Sequence, residues 1–459
     1  MFLEITKNQY FTINIIDFGT KGEGIGKIDT FTVFINGGVP GDKLEIKIIK
    51  VKKNYGFAKL IKIIKPSPDR VVPKCELSPK CGGCQLQHLD YSAQLRFKEK
   101  KIKDNLTRIG GFQDLAINPI LDMSEPYHYR NKAQFAVDYK DQQFQTGLYT
   151  LRSHEVVDTP SCLIMHPLIN QVIKRIRDFV AQTQISIYDE KKQTGLFRYL
   201  VVRVGFNTQE LMVCLVLNSL EFTYDQELIA VFKDLPQVQS LVLNYNLASG
   251  NNVLGTTSKV LQGSPYIQEH MAGLKFKISP LSFFQVNPVQ VEKLYQKVLD
   301  FAELDGSETV WDLYCGIGTI ALYLAAHLVT PSSGKVYGIE IVPDAIKDAQ
   351  ENAKLNKIKN AHFLVGKAEE IFLQESQKKD FQADLVVLNP PRKGCEKVLL
   401  EVLTKVKPRK IIYVSCDPAT LARDLKILCQ DYYTLTHVQP VDMFPQTVHV
   451  ETVACLTLV

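Results

Sequence analysis

The sequence lacks any apolar run that approaches the length of a membrane span, and its first residues contain no long apolar core. We therefore expect no membrane association and no secretory signal, which predicts a cytoplasmic protein. In a reducing compartment, the ten cysteines should be reduced, metal-bound or reactive rather than disulfide-bonded. No segment indicates an obligate protein partner.

A strong net charge is also lacking, because the 459 residues carry only +5. The positive charge is nevertheless concentrated: residues 43–65 contain eight lysines against one acid, and residues 96–108 contain six basic side chains. Such local excesses suit contact with a nucleic-acid phosphate backbone. A solvated basic face would give the same pattern, so charge alone leaves both interpretations open.

The pattern of the chain changes twice, and its length predicts two to four domains. Residues 1–65 show short strands between glycine turns, which predicts a small OB-like β-barrel. Residues 66–272 read as a mixed α+β domain without a catalytic signature. In residues 273–459, strand, glycine turn and helix alternate, which predicts an α/β Rossmann-like domain with a doubly wound parallel sheet.

A glycine turn in this last domain predicts a cofactor site. Asp312-Leu-Tyr-Cys-Gly-Ile-Gly-Thr lies between a predicted strand and a predicted helix, and Gly316 and Gly318 let the backbone approach a ligand closely. The next predicted strand ends at Glu340, whose carboxylate could accept hydrogen bonds from both ribose hydroxyls. The turn lacks the third glycine of the dinucleotide fingerprint. It resembles the S-adenosylmethionine loop of Rossmann-like methyltransferases, and an ordinary strand-to-helix turn is the alternative.

Two further residues suit covalent chemistry at the same edge of the sheet. Cys416 directly follows a predicted buried strand, and Glu451 ends an acidic and histidine-containing run near the C-terminus. Methylation of a poorly nucleophilic ring carbon, such as carbon 5 of uracil, would need both groups: a thiolate adds first to carbon 6, and a base later removes the carbon 5 proton. An inert core cysteine and an acid on an edge strand are the alternatives.

Three segments together resemble the RNA 5-methyluridine methyltransferase family: Asn389-Pro-Pro-Arg-Lys-Gly, Tyr413-Val-Ser-Cys-Asp and Asp442-Met-Phe-Pro-Gln-Thr-Val-His-Val-Glu. Ser282-Phe-Phe-Gln-Val-Asn also matches the family. The resemblance implies that Cys416 is the nucleophile, Glu451 the proton acceptor and Phe283 a contact of the target base. It implies a cofactor shell for S-adenosylmethionine made of Gln285, Tyr314, Gly316, Thr319, Glu340 and Asn389.

The chain departs from the expected patterns at three positions. Arg392 stands where methyltransferases of exocyclic amines usually have an aromatic residue, which argues against amine methylation. Asn389 replaces the Asp of many family members and removes a charge near the cofactor. Asp417 replaces an Asn beside the nucleophile. A carboxylate there should raise the thiol pKa, so we expect Asp417 to point away or to pair with a cation.

A cysteine cluster predicts a metal site. Cys75, Cys81 and Cys84 lie within ten residues, and Cys162 is the best-placed candidate for a fourth ligand. Zinc also accepts four thiolates and remains open on the residues alone. Within the family, this segment resembles the one that binds a [4Fe–4S] cluster, which would have a structural or RNA-facing role.

The resemblance covers nearly the whole chain, and residues 1–65 look like a TRAM domain, an RNA-binding module. Family members that act on tRNA generally lack both this domain and the cluster. The resemblance therefore implies large-subunit (23S) ribosomal RNA as the partner and substrate. The alternatives are the same reaction on tRNA, an iron–sulfur redox enzyme that would leave Cys416 and Glu451 unexplained, and a non-enzymatic RNA-binding protein.

Overall fold

The computed structural model describes residues 4–151, 153–328 and 334–459. The chain divides into two compact units. The first unit consists of Met1–Lys101, Tyr149–Val157 and Phe444–His449. The second unit consists of Ile102–Leu148, Asp158–Met443 and Val450–Val459.

Five strands of the first unit form a closed barrel in the order β1-β2-β3-β5-β4. Their bounds are β1 (Tyr10–Phe18), β2 (Gly24–Ile28), β3 (Phe31–Ile35), β4 (Lys43–Val51) and β5 (Tyr55–Lys65). Alternate apolar side chains fill the interior, as the period of a strand requires. A Cβ added to Gly26 would lie 2.6 Å from Ile13 Cδ1 and 2.9 Å from Asn14 O, so β1 and β2 pack closely here because β2 carries a glycine. The predicted N-terminal barrel is confirmed.

The first unit also contains the start of helix α1 (Tyr91–Asn105) and a C-terminal segment that contacts it. Gln94 Nε2 donates to Gln446 Oε1 at 3.0 Å, and the backbone N–H of Gln446 donates back to Gln94 Oε1 at 3.0 Å. Lys98 Nζ donates to the carbonyl of Phe444 at 3.0 Å. These bonds join residues more than three hundred positions apart, so the C-terminal motif is anchored partly by the first unit.

A mixed sheet occupies the middle of the chain, in the order β12-β11-β10-β9-β6-β7-β8. Its strands are β6 (Lys132–Lys140), β7 (Gln143–Tyr149), β8 (Val156–Asp158), β9 (Phe197–Val204), β10 (Leu211–Leu217), β11 (Val238–Tyr245) and β12 (Thr257–Gly263). Helices α2 (Pro167–Thr183) and α3 (Asp225–Val231) accompany it, and a hairpin of β13 (Ile267–Met271) and β14 (Leu274–Ile278) follows. Every residue of β10 is buried, which matches its continuous apolar sequence.

The last sheet has the order β17-β16-β15-β18-β19-β21-β20. Strands β15 (Thr309–Leu313), β16 (Lys335–Glu340), β17 (Ala361–Val365), β18 (Leu385–Leu388) and β19 (Lys410–Ser415) are parallel. Strand β21 (Glu451–Leu458) pairs antiparallel with β19, and β20 (Tyr433–Val441) pairs antiparallel with β21 at the edge of the sheet. The helices are α4 (Pro288–Ala302), α5 (Thr319–Ala326), α6 (Pro343–Leu355), α7 (Ala368–Ser376), α8 (Lys397–Val406) and α9 (Pro418–Leu428). The predicted Rossmann-like domain is confirmed.

The strand order of this sheet predicts where a ligand crevice lies. The strand order reverses between β15 and β18, and the carboxyl ends of parallel strands on either side of such a point border a crevice. The predicted residues Tyr314, Glu340, Asn389 and Cys416 come at or directly after the ends of β15, β16, β18 and β19. Within the described residues, no helix is both long enough and apolar enough to cross a bilayer.

Candidate active site

The turn after β15 is shaped by left-handed backbone and one buried acid. Tyr314, Gly316 and Gly318 have φ angles of 83°, 56° and 82°. Asp312 Oδ2 accepts the backbone N–H of Ala321 at 3.0 Å, which ties the strand to the start of α5. A Cβ on Gly316 would meet no atom within 4 Å. The backbone of Gly316 therefore faces open space, where a ligand can approach it.

Glu340 reaches this turn from the neighbouring strand. Its Oε2 accepts the backbone N–H of Gly316 at 3.2 Å, and its Oε1 accepts that of Val342 at 2.9 Å. On the other side, the backbone N–H of Asn389 donates to the carbonyl of Leu313 at 3.4 Å. The structure thus brings three of the predicted cofactor residues, Gly316, Glu340 and Asn389, around the end of β15.

A tyrosine that the sequence analysis missed supports the end of this turn. Tyr295 of α4 is buried, and its hydroxyl donates to Thr319 Oγ1 at 2.7 Å. Burial raises the pKa of Tyr295 well above its usual range, and the charges of Asp312 and Glu451 raise it further. Tyr295 therefore stays a neutral hydrogen-bond donor to Thr319. No sequence motif marks it, because α4 reads as an ordinary amphipathic helix.

Phe283 is held outward by a fixed loop. Its side chain is 67% exposed, while those of Ser282 and Phe284 are 5% and 3% exposed. Ser282 Oγ donates to Asp348 Oδ2 at 2.6 Å, which anchors the loop. An aromatic ring held on a rigid loop is suited to stack on a base. The neighbouring Gln285 is buried.

The loop after β18 is tied to α9 by a buried carboxylate that the sequence reading also missed. Asp424 Oδ2 accepts the backbone N–H of Cys395 at 2.8 Å and the hydroxyl of Tyr413 at 2.7 Å. Arg423 Nε donates to Asp424 Oδ1 at 2.8 Å, and Arg423 Nη2 donates to the carbonyl of Lys393 at 2.9 Å. These bonds hold the loop that contains the Asn-Pro-Pro-Arg motif.

Cys416 and Glu451 adjoin a paired position of adjacent strands. Strand β19 pairs antiparallel with β21, and the last partners in the register are Ser415 and Thr452. Cys416 is the next residue after Ser415, and Glu451 is the residue before Thr452. Directly opposed residues of antiparallel strands have neighbouring side chains on one face. Extending this register by one residue pairs Cys416 with Glu451, so the predicted nucleophile lies beside the predicted base.

Burial sets the protonation of both groups. Burial raises the pKa of Glu451 to about 7, and the positive charge of Arg392 opposes the rise. Burial also raises the pKa of the Cys416 thiol to about 11. The charge of Glu451 adds to that rise, Arg392 opposes it, and Asp417 adds a smaller contribution. A cation of the Asn-Pro-Pro-Arg loop thus acts on both candidate catalytic groups.

Asp417 is engaged by a helix rather than by the thiol. Its Oδ1 accepts the backbone N–H groups of Ala419 at 2.9 Å and Thr420 at 3.1 Å, so it is the N-cap of α9. A carboxylate is stabilised there by the helix dipole and by the unpaired N–H groups. The carboxylate expected to point away from Cys416 therefore has a capping role of its own.

The predicted four-cysteine site is not assembled in the structure. Among the described residues, no three His, Cys, Asp or Glu side chains come together in an arrangement that could hold a metal ion. Cys81 Sγ accepts the backbone N–H of Gly83 at 3.4 Å. Burial raises the pKa of Cys81, and the nearby Cys75 adds to the rise. Cys162 belongs to the second unit, where its N–H donates to Asn170 Oδ1 at 2.9 Å.

Comparisons with known proteins cover the whole chain. Residues 90–458 match the family described as tRNA (uracil-5-)-methyltransferase, and residues 5–61 match the TRAM domain. A protein of Clostridium tetani named an uncharacterized RNA methyltransferase is 46% identical over 456 residues, which cover 99% of this chain and 98% of that protein. One of Halalkalibacterium halodurans with the same description is 44% identical over 455 residues, again 99% and 98% of the two chains.

A solved structure extends the similarity to the fold. The crystal structure of Pyrococcus abyssi tRNA (uracil-54, C5)-methyltransferase in complex with S-adenosyl-L-homocysteine superposes with a TM-score of 0.78 at 30% identity. The superposition covers 97% of this chain and 99% of that one. The sequence match, the full-length relatives and the shared fold agree, and the chain belongs to the tRNA (uracil-5-)-methyltransferase family of RNA methyltransferases, with an N-terminal TRAM domain.

Proposed function

We propose that this chain transfers a methyl group from S-adenosylmethionine to carbon 5 of a uridine in RNA, with Cys416 as the nucleophile and Glu451 as the proton acceptor. The observation that carries the proposal is the Ser415–Thr452 pair, whose register sets the thiol beside the carboxyl group at the carboxyl edge of the sheet. The structural relative from Pyrococcus abyssi, which is described as a uracil C5 methyltransferase, supports the reaction class.

The residues around β15 fit S-adenosylmethionine, which when bound supplies an electrophilic methyl group. The open backbone at Gly316 allows close approach, and the carboxylate of Glu340 would accept the ribose hydroxyls. The remaining proposed cofactor residues are Gln285, Tyr314, Thr319 and Asn389. Tyr295 would hold the hydroxyl of Thr319 in position through their 2.7 Å bond.

The covalent steps follow from the two catalytic groups. The Cys416 thiolate adds to carbon 6 of uracil, which makes carbon 5 an enolate carbon. Carbon 5 then takes the methyl group as the bond between that methyl and the sulfonium sulfur breaks, which would leave S-adenosylhomocysteine. Glu451 then accepts the proton from carbon 5. The electrons of that C–H bond restore the double bond between carbons 5 and 6, and Cys416 leaves as a thiolate.

The pKa values fit these roles. A carboxyl group with a pKa of about 7 is a stronger proton acceptor than an ordinary glutamate and is still substantially ionised at neutral pH. The Cys416 thiol, with a pKa of about 11, is protonated in the free protein at neutral pH. It must therefore be deprotonated before it adds to carbon 6, because the thiolate and not the thiol is the nucleophile.

The two proposed catalytic residues act at different steps, and this separates their variants. We expect Cys416→Ala to show neither methylation nor a covalent complex. Glu451→Gln should still bind RNA, form the bond between Cys416 and carbon 6, and methylate carbon 5. The reaction should then stall, because Cys416 cannot leave while the carbon 5 proton remains. Denaturing gels with radiolabelled methyl donor would show a protein–RNA adduct that carries the methyl group.

RNA that contains 5-fluorouridine provides the matched control. It should trap the wild-type protein at the same stage, because fluorine cannot leave as a cation, and Cys416→Ala should abolish that adduct. Turnover by Cys416→Ala would refute the covalent mechanism. Wild-type turnover by Glu451→Gln would show that another group is the base.

For the substrate, we propose 23S ribosomal RNA, with tRNA as the second candidate. The resemblance of the cysteine segment to the family's cluster-binding segment supports the first. The Pyrococcus abyssi structure favours the second, because its description names tRNA uracil 54. The superposition with that structure covers 97% of this chain, so it must include the N-terminal barrel. Possession of a TRAM domain therefore does not separate the two substrates, and the argument for ribosomal RNA rests on the cysteine cluster.

We also propose that Cys75, Cys81, Cys84 and Cys162 hold a [4Fe–4S] cluster, because this cysteine segment resembles the family segment that binds one. The described side chains do not form such a site, so no catalytic step is assigned to a cluster. Anaerobically purified protein should contain iron and acid-labile sulfide, and Cys162→Ser should lower both. Stoichiometric zinc without iron would refute the iron–sulfur proposal.

The division of the chain at residues 65 and 272 and a cytoplasmic location are likewise proposals. Limited proteolysis should cut first near the two boundaries if residues 1–65, 66–272 and 273–459 fold as separate domains. An RNA substrate is consistent with the cytoplasm, and cell fractionation tests that location directly.

A further inference from the structure

A group of three cations lies at one end of the central sheet. Lys132 of β6 and Arg203 of β9 are direct partners in an antiparallel register, so their side chains extend from the same face. Arg130 adjoins them, since its Nε donates to the carbonyl of Lys132 at 3.0 Å. Among the described residues, none of the three forms an ion pair with a carboxylate.

Like charges placed directly opposite each other on a sheet repel, and burial strengthens the repulsion. Arg203 is 3% exposed, and its Nε has no hydrogen-bond partner among the residues that the structure describes. Burial lowers the pKa of Lys132 to about 7, with Arg203 and Arg130 lowering it further. The facing thiol of Cys214 is neutral, because burial raises its pKa to about 12. Nothing in this group of side chains compensates the positive charge.

The cations adjoin the loop that presents Phe283. Arg203 Nη2 donates to the carbonyl of Pro280 at 3.3 Å and also to that of Ser282. Asn131, which lies between Arg130 and Lys132, donates from its backbone N–H to the carbonyl of Val286 at 2.9 Å. Arg203 therefore contacts the loop before the exposed ring, and Asn131, between the other two cations, contacts it after the ring.

We propose that Lys132, with Arg203 and Arg130, binds a backbone phosphate of the RNA next to the nucleotide whose base contacts Phe283. This rests on the proposed function, which supplies the RNA. A phosphodiester is connected to its base through one ribose, so a phosphate contact beside Phe283 fixes where the base enters. A bound anion also favours the protonated, positively charged form of Lys132 and reduces the repulsion among the three cations. The carboxylate of S-adenosylmethionine is the other anion in the reaction, and the test separates the two.

The test compares Lys132→Met with Lys140→Met. Lys140 is exposed at the other end of the same strand, so both variants lose one charge from β6. The ligands are unmodified transcripts of tRNA and large-subunit ribosomal RNA, titrated at several salt concentrations, and S-adenosylhomocysteine, measured by calorimetry. For Lys132→Met we expect about tenfold weaker RNA binding, a salt slope smaller by about 0.7, and unchanged S-adenosylhomocysteine affinity. Lys140→Met should bind RNA like the wild type, and Lys132→Arg should restore the slope.

Two outcomes would overturn the proposal: unchanged RNA binding by Lys132→Met, or weaker S-adenosylhomocysteine binding with normal RNA binding, which would assign the cations to the cofactor. A cooperative melting temperature at or above that of the wild type is expected, because an unpaired buried charge has been removed. Unfolding of Lys132→Met alone would indicate a structural role instead. These measurements need no turnover, so a wild type that binds RNA without methylating it would refute the proposed function and leave this inference standing.

Discussion

At the scale of single residues, burial decides the chemistry of the proposed site more than neighbouring charge does. Glu451 and Cys416 both have raised pKa values with burial as the first cause, although Arg392 opposes the rise in each. Asp312, in the cofactor turn, has its pKa raised to about 7, also by burial first and then by Glu340. Proton transfer at neutral pH therefore depends on how completely the site excludes water.

The raised pKa of Glu451 predicts a pH-dependent stability difference between the wild type and Glu451→Gln. The folded-state pKa, about 7, exceeds the ordinary value of 4.5, so the folded protein holds a proton that the unfolded chain has already released. Stability from this group is complete below pH 4.5 and is lost as the pH rises to about 7. Above that pH, Glu451→Gln should be more stable than the wild type by up to about 3 kcal/mol.

Urea unfolding from pH 4 to pH 9 measures this difference. The exposed Glu401 of α8, changed to Gln, is the matched control and should follow the wild type at every pH. Parallel curves for Glu451→Gln and the wild type would mean that Glu451 keeps an ordinary pKa. The pKa of the proposed base would then not lie near neutral pH.

At the scale of secondary-structure elements, the β4–β5 hairpin of the barrel combines charge with exposed rings. Lys50, Lys52 and Lys53 are exposed at its tip. Beside them, Tyr55 packs edge-on against Phe57 and Phe34 with ring centroids 5.7 Å apart in both pairs, and it is 39% exposed. Lysines next to accessible aromatic rings are typical of surfaces that bind single-stranded nucleic acid.

This arrangement predicts that the hairpin contributes to RNA affinity and not to cofactor affinity. Replacing Lys50, Lys52 and Lys53 by Gln should weaken RNA binding and lower its salt slope by up to about 2, since each lost phosphate contact lowers the slope by about 0.7. Binding titrations across a range of salt concentrations provide the measurement. S-adenosylhomocysteine binding should stay unchanged.

The matched control for the hairpin removes three exposed lysines elsewhere, Lys354, Lys357 and Lys359, at the end of α6. This control has the same net charge and should retain the wild-type slope. Equal salt slopes for both triple variants would mean that the hairpin lysines affect RNA binding only through the net charge of the protein. The barrel would then have no specific place in RNA recognition.

At the scale of the whole molecule, the two candidate substrates make opposite predictions in cells. If 23S ribosomal RNA is the substrate, cells without this protein should lose 5-methyluridine from ribosomal RNA and keep it in tRNA. Mass spectrometry of nuclease digests of the separated RNAs measures both. Complementation with the wild-type gene should restore the nucleoside, and Cys416→Ala should not. Loss from tRNA alone would select tRNA and leave the uridine C5 chemistry intact.

Much of the architecture and the candidate site follows from local sequence. The glycine turn at Gly316, the strand end at Glu340 and the cysteine after β19 are local patterns. The alternation of strand, turn and helix in this part of the chain predicts a parallel sheet. The residues that follow each parallel strand then lie together at the carboxyl edge of that sheet. The sequence alone therefore predicts that these residues, although far apart in the chain, lie at one site.

The tertiary structure alone decided the features that depend on distant partners. The β19–β21 register that sets Cys416 beside Glu451, the cross-strand pair of Lys132 and Arg203, and the burial of Asp424 join segments with no local signal for each other. Hydrophobic periodicity specifies which face of a strand is buried, but strand order, register and desolvation arise only when the sheets assemble. The sequence by itself therefore determined which chemical groups this protein has and which edge of the sheet receives them, and the assembled fold determined their partners and their protonation.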